Sequence, residues 1–189
     1  MVLPVVKFGD PVLRRRGDRI AEVTPEIRQL VADMFETMES ANGVGLAAQQ
    51  IGRALQLTVI DVRRARERPS TLWIDNQPAD PESFMPLVLI NPLIKPVGPQ
   101  LKEPEGCLSF PEIYADIQRP GEVEVTAQNL RGESFSFRAG GLLGRAVQHE
   151  VDHLNGILFI DRMDSTARRD WQPEIDALQS ATKAKRNGR

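Results

Sequence analysis

The chain contains two histidines and one cysteine, and all three lie in segments whose residue types suit a single metal ion. His149 and His153 flank Glu150-Val151-Asp152, giving an H-E-x-x-H. On a helix, residues four apart share a face, so both imidazoles can turn to one ion. Glu150 stands one step round, where a carboxylate can handle the proton of a water on that ion. Chance placement of two histidines at this spacing, with a glutamate after the first, has odds on the order of one in a thousand. Cys107, in Glu105-Gly106-Cys107-Leu108-Ser109, would complete a Cys-His-His set. Three protein ligands leave a fourth position open for water, the catalytic pattern and not the structural one. A lone buried histidine is more often a hydrogen-bonded core group, and a lone cysteine a small hydrophobe. The histidine spacing and its glutamate outweigh that reading. For Cys107 the residues alone decide less, because its distance from the histidines fits no simple zinc-finger pattern.

A second segment, Gly43-Val44-Gly45-Leu46-Ala47-Ala48-Gln49-Gln50, has two readings. Its glycines either end a helix and turn the chain, or let a substrate backbone come close. Gln50 is either a solvent-facing amide or a donor aimed at a developing oxyanion. Spacing does not choose between them.

The elements that must hold these residues follow from periodicity. Ile27, Leu30, Val31, Met34, Phe35 and Met38 recur at helical spacing and predict a helix from about Thr24 to Ala41. Thr24 caps it, Pro25 suits its first turn, and Asn42-Gly43 ends it. The apolar stripe reads as core packing. A strand is expected over Leu55 to Val62, and a short buried one at Leu87-Val88-Leu89-Ile90, closed by Asn91-Pro92. Between them, 63–86 reads as a polar, proline-bearing surface loop or insertion, with its charge run Arg63-Arg64-Ala65-Arg66-Glu67-Arg68 on a solvated face. Val123, Val125 and Ala127, a turn at Arg131-Gly132, then Phe135 and Phe137 predict an antiparallel hairpin. A second helix, from roughly Gly141 to Asn155, carries the H-E-x-x-H, with Asn155-Gly156 as its stop. Gly144 inside it costs roughly 1 kcal/mol of propensity unless packing uses the space. From Ser165 to Arg189 a polar helix or tail is expected, ending in Lys183, Lys185, Arg186 and Arg189. Hairpin-linked strands with segregated helices indicate an α+β fold, antiparallel sheets packed around a central helix that carries the metal motif.

The whole chain limits the alternatives. Its 189 residues suit one domain, 1–189, and a hydrophobic fraction of 41% is ordinary for a globular protein. A formal charge of -2 offers no footprint for DNA or an anionic membrane. No apolar run approaches a bilayer span, and the N-terminus lacks the pattern of a signal or transit peptide. One cysteine makes no internal disulfide, so a reducing compartment is expected.

Gly43-Val44-Gly45-Leu46-Ala47-Ala48-Gln49-Gln50, Glu105-Gly106-Cys107-Leu108-Ser109 and Gln148-His149-Glu150-Val151-Asp152-His153-Leu154 together resemble the G-x-G-L-A-A-x-Q, E-G-C-L-S and Q-H-E-x-D-H-L motifs of peptide deformylases. The likeness extends through Lys7-Phe8-Gly9-Asp10-Pro11-Val12-Leu13 and Gly156-Ile157-Leu158-Phe159-Ile160-Asp161-Arg162, to about Met163. It implies removal of the N-formyl group from nascent formyl-methionyl chains, with release of formate. It implies one divalent metal ion, Fe²⁺ in the cell, with Zn²⁺, Ni²⁺ or Co²⁺ as substitutes, held by Cys107, His149 and His153. A hydroxide generated on that ion would attack the formyl carbon, with Glu150 as general acid/base and the Gln50 amide and Leu108 N–H polarising the formyl oxygen. The peptide would add as a strand near Gly43, Val44 and Gly45 and beside Glu105 and Gly106, with the methionine side chain among Val44, Leu142 and Ala146. A formyl-methionine substrate implies a bacterial cytoplasm, or an organelle if the chain is a processed form. A monomer is expected. The basic C-terminal end reads as a solvated tail, with docking near the ribosomal exit as the alternative.

Two other functions use the same residues. A metallopeptidase would take Asp161 or Asp164 as third ligand and leave Cys107 and Gln50 without a role. A structural metal site in a binding module would need a fourth protein ligand.

Overall fold

In this computed structural model, residues 1–188 are described, and the core is built by one seven-stranded antiparallel sheet and the helix that crosses it. The strands are β1 (Gly45–Ala47), β2 (Leu57–Ile60), β3 (Ser70–Ile74), β4 (Gln77–Ala79), β5 (Leu87–Cys107), β6 (Phe110–Gln128) and β7 (Ser134–Gly140), ordered β1-β2-β5-β6-β7-β3-β4. Helix α1 spans Pro25–Ser40 and α2 spans Gly141–Leu154. The first lies where the apolar periodicity puts it, and the second where the H-E-x-x-H and the Asn155-Gly156 stop put it. Thr24 caps α1 by accepting the Ile27 N–H, as its side chain and Pro25 predict.

Helix α2 is central: every residue from Leu142 to Leu154 is buried. Leu142, Leu143, Ala146, Val147 and Val151 pack against the Val123, Val125, Phe137 and Ala139 side of the sheet. Burial all round is the signature of a helix enclosed by other elements, and it keeps the metal motif out of bulk water. The Gly144 cost is explained by space. A Cβ there would stand 2.7 Å from the Ala139 carbonyl oxygen, so the bare α-carbon lets α2 lie against β7.

Two expectations fail for strand reasons. The short strand expected to close at Asn91-Pro92 instead continues as β5 to Cys107. Asn91 sits at φ +52 in a register shift. Its side chain accepts from the Ile20 N–H at 2.9 Å and donates to the Ile20 carbonyl at 2.8 Å, replacing the lost pairing. The bulge bends the strand without ending it. The loop expected over 63–86 supplies β3 and β4, which continue the sheet from β7. Leu72 from this segment is buried in the core. Its polar, proline-bearing composition hid two short strands, of which β4 forms the edge of the sheet.

The C-terminal region takes the helical one of the two expected forms, through α3 (Ser165–Asp170) and α4 (Gln172–Asn187), with Lys183, Lys185 and Arg186 exposed. Ile175 is buried with Phe8, Leu13, Phe110 and Phe159, so α4 closes a second core over the N-terminal segment. Of the basic end, Arg189 lies outside the described residues. Among the described residues, no helix is long and apolar enough to cross a membrane.

Candidate metal centre and active site

The H-E-x-x-H lies on the second half of α2, and Cys107 is the last residue of β5, which faces it. The fold brings Cys107, His149 and His153 together, with one ligand atom from each lying within 4.8 Å of the others. Cys107 Sγ is 3.3 Å from His153 Nε2. The spacing that fits no zinc-finger pattern is therefore bridged by a strand end meeting a helix, not by a local loop. Asp161 and Asp164, the alternative third ligands, are engaged elsewhere. Asp161 pairs with Arg14 and accepts the Leu158 N–H, while Asp164 caps α3 and pairs with Lys102.

His149 is oriented from behind. Its Nδ1 lies 3.0 Å from Glu105 Oε2, which leaves Nε2 for the interior of the site. Glu105 is itself gripped by Arg119, at 2.6 and 3.0 Å, and by Arg145 at 2.8 Å. Burial works against the Glu105 carboxylate, but the bonds to His149 and Arg119 outweigh it and hold the carboxyl well below the usual range. Arg119 also donates to Asp152 at 2.8 Å, and Asp152 takes two further bonds from Arg162. A charged lattice thus ties β5 and β6 to the metal helix on both sides of the ligands. Sequence reasoning placed Glu105 in the cleft but missed Arg119, Arg145 and Arg162. The only signal for them was an arginine within the otherwise apolar first turns of α2.

Glu150 faces the same interior. Its Oε2 and the Nδ1 of His153 are buried and have no hydrogen-bond partner among the described residues. Burial pushes the Glu150 carboxyl up to about 7, the range in which a group can both take and return a proton. Gly45 explains how the carboxylate fits: a Cβ there would stand 2.5 Å from Glu150 Oε1. Gln50 is the next neighbour. Its Oε1 accepts the Ala47 N–H at 2.9 Å, which turns Nε2 toward Cys107 Sγ at 3.6 Å and Ser109 Oγ at 3.3 Å. The amide therefore presents a donor beside the ligand set and is not solvent-facing.

The donor set suits a divalent cation of the zinc or iron type: one soft thiolate and two imidazoles, with no fourth ligand in the cluster among the described residues. Desolvation alone would strip His149 of its proton, yet Cys107 and Glu105 raise it well above its ordinary value. Burial and the charge of His149 push His153 the other way, well below its ordinary value, so the two imidazoles do not both carry a second proton. The Glu150 Oε2 beside them is buried and unpartnered among the described residues.

These residues open into a cleft of about 560 Å³, whose walls include Val44, Gly45, Gly106, Leu142 and Ala146. Gly43, Glu105 and Leu108 line it too. Three cations that sequence reasoning left out of the cleft also face it, Lys7, Arg68 and Arg145. Lys7 Nζ donates to the Leu108 carbonyl at 2.6 Å. Arg68, expected on a solvated face, turns inward to Glu103 at 3.2 Å. The next two residues cap the metal helix, because the Leu142 N–H reaches the Pro69 carbonyl and the Leu143 N–H reaches Ser70 Oγ. Gly140 provides no side-chain cap of its own.

Comparison with known proteins gives a consistent answer. The family described as polypeptide deformylase matches residues 2–169. A peptide deformylase of Opitutus terrae is 44% identical over 187 residues, covering 97% of this chain and 96% of that one. One from Acinetobacter baumannii is 40% identical, covering 94% and 92%. Among solved structures, a peptide deformylase from Synechococcus elongatus in complex with actinonin is 38% identical, with a TM-score of 0.75 over 95% of this chain and 85% of that one. An Arabidopsis thaliana peptide deformylase gives a TM-score of 0.83 at 35% identity, over 97% and 93%. The motifs, the fold that gathers them and the match along nearly the whole chain agree, and the chain belongs to the polypeptide deformylase family of metal-dependent hydrolases.

Proposed function

We propose that this cleft hydrolyses the N-formyl group of newly made formyl-methionyl peptides, with Cys107, His149 and His153 holding the ion and Glu150 moving the proton. The observation that carries the reading is Glu150, buried and unpartnered at Oε2, beside three converging ligand atoms. A divalent cation bound there supplies Lewis acidity, lowering the pKa of water from 15.7 toward about 7.

The chain's own groups account for the rest. Gly43, Val44 and Gly45 lead into β1, an edge strand of the sheet, which has a free side for a peptide to pair with. Glu105 and Gly106 form the wall opposite, Glu105 through its backbone because its carboxylate holds His149. Val44, Leu142 and Ala146 give an apolar place for the methionine side chain. Glu150 accepts the proton of the attacking water as the new carbon–oxygen bond forms. The Gln50 amide and the Leu108 N–H bind the oxygen as it gains charge, and losing one such donor typically costs about 10²–10³ in rate. Glu150 then delivers the proton to the amine as the carbon–nitrogen bond breaks, releasing formate and a free N-terminus. Fe²⁺ is the physiological ion on the family resemblance, and Zn²⁺, Ni²⁺ and Co²⁺ fit the same donors. The chain works as a monomer on nascent chains, and the exposed Lys183, Lys185 and Arg186 toward the end of α4 support docking on the ribosome.

The test is formate release from a formyl-Met tripeptide by protein purified without oxygen and loaded with Fe²⁺ or Ni²⁺. An acetyl-Met peptide and Glu150→Ala serve as controls. Metal-dependent formate, absent for the acetyl peptide and lowered about 10²–10⁴-fold in the variant with metal content unchanged, supports the reading. A folded, metal-loaded protein that releases none overturns it.

A further inference from the structure

Arg68 is the single residue shared by two cavities. It lines the 560 Å³ cleft, and it also lines a separate groove of about 460 Å³ walled by Val62, Ala65, Pro69 and Pro81. We propose that the Arg68 side chain is the end wall of the first-residue pocket, a specificity-determining plug that sets how long a substrate side chain the cleft accepts. The proposal rests on the deformylase reading of the cleft.

The geometry argues this from three sides. Leu142, Ala146 and His149 lie along one helix, and seven residues of helix span about 10 Å. A side chain running from the ion along α2 therefore ends at the N-terminal turn of that helix. That turn is covered by Pro69 and Ser70, whose bonds to Leu142 and Leu143 hold the backbone there. A Cβ at Gly141, where φ is +59, would stand 2.2 Å from the Pro69 carbonyl oxygen, so the backbone wall fits closely. The neighbouring cation, Arg145, is equally fixed: Nη1 bonds Glu105 and the Ile117 carbonyl, and Nη2 bonds the Leu101 carbonyl at 3.0 Å.

Arg68 is different. Its side chain is held by one partner, Glu103 at 3.2 Å, and is 34% exposed. Beyond it lies the groove, where Val62, Ala65, Pro69 and Pro81 offer carbon surface to an alkyl chain between the charged Arg66, Asp80 and Glu82. The wall at this end of α2 is thus a removable side chain, set beside the fixed Pro69–Ser70 backbone and the fixed Arg145.

The test is an n-alkyl series of formyl-Xaa-Ala-Ser peptides, with Xaa side chains of four, six and eight carbons, read as kcat/KM for formate release. In the wild type, activity peaks at the four-carbon chain and falls beyond it. In Arg68→Ala the cut-off disappears. Each methylene that enters the groove is worth about fourfold, so the eight-to-four-carbon ratio rises by about tenfold or more over wild type. Arg68→Met, which refills the gap without charge, keeps the wild-type cut-off. An unchanged cut-off in Arg68→Ala, or a lost one in Arg68→Met, overturns the plug. Arg68→Ser carries the same test should the alanine variant fail to fold by thermal melting. Turnover of the formyl-Met peptide, measured alongside, tests the deformylase reading separately.

Discussion

Glu105 Oε2 stands 3.0 Å behind His149 Nδ1, and two buried arginines clamp the same carboxylate. The carboxylate fixes which imidazole nitrogen faces the site, and the arginines fix the carboxylate. Outer partners of this kind typically carry 10–100-fold in metal affinity. Glu105→Gln keeps the shape but weakens the grip on His149. We expect metal affinity to fall about 10–100-fold, read by competition against a chelator. Unchanged affinity would mean that His149 is positioned by α2 alone.

Gly45 and Glu150 occupy nearly the same space. Gly45→Ala places a methyl 2.5 Å from Glu150 Oε1, and the carboxylate must move. Misplacing a reacting group by about 1 Å can cost about 10²-fold in rate. The expected result is a kcat loss of that order with metal content intact. A fully active alanine variant would show that Glu150 tolerates displacement.

At Gly144 two effects oppose each other. Alanine improves helix propensity by about 1 kcal/mol, whereas forcing a methyl against packed neighbours costs about 1–3 kcal/mol. The neighbour is the Ala139 carbonyl at 2.7 Å, backbone in a paired strand that has little freedom to retreat. Packing wins, so Gly144→Ala lowers the denaturation midpoint. A raised midpoint would show that α2 and β7 can separate without loss.

Asp161 makes stability acid-sensitive. Burial raises its carboxyl, but the bonds from Arg14 and the Leu158 N–H outweigh this and hold it below the ordinary 3.8. The unfolded chain then binds the proton more readily than the folded one, so stability rises with pH across that interval. The contribution is whole above about pH 3.8 and is lost as pH falls through the lower folded value. Denaturant titrations should show a gap between wild type and Asp161→Asn at neutral pH that closes in acid. A constant gap would place the effect outside this ionisation.

Helices α1 and α2 were legible in the sequence because their apolar spacing and end signals act within one or two turns. The ligand set was legible for the same reason on α2, and Cys107 through its motif. The strands of 63–86 were not. Strand β3 pairs with β7, more than sixty residues away, and β4 pairs with β3 over three residues, so these short, polar strands carry little local periodicity. The charge run that ends at Arg68 is largely exposed, as its composition indicates, but nothing local shows that Glu103 folds against Arg68. Arg119 gave no pattern and Arg145 only its place among apolar residues of α2, since buried ion pairs are specified by meeting points between elements.

The metal helix does not begin on its own signal. Its first turn is completed by the Pro69 carbonyl and the Ser70 hydroxyl, seventy residues upstream. Fraying of β3 would therefore unwind Leu142 and Leu143 while the ligands, two turns further on, stayed wound. Such fraying would open the cleft wall at Leu142 before it reached the three converging ligand positions.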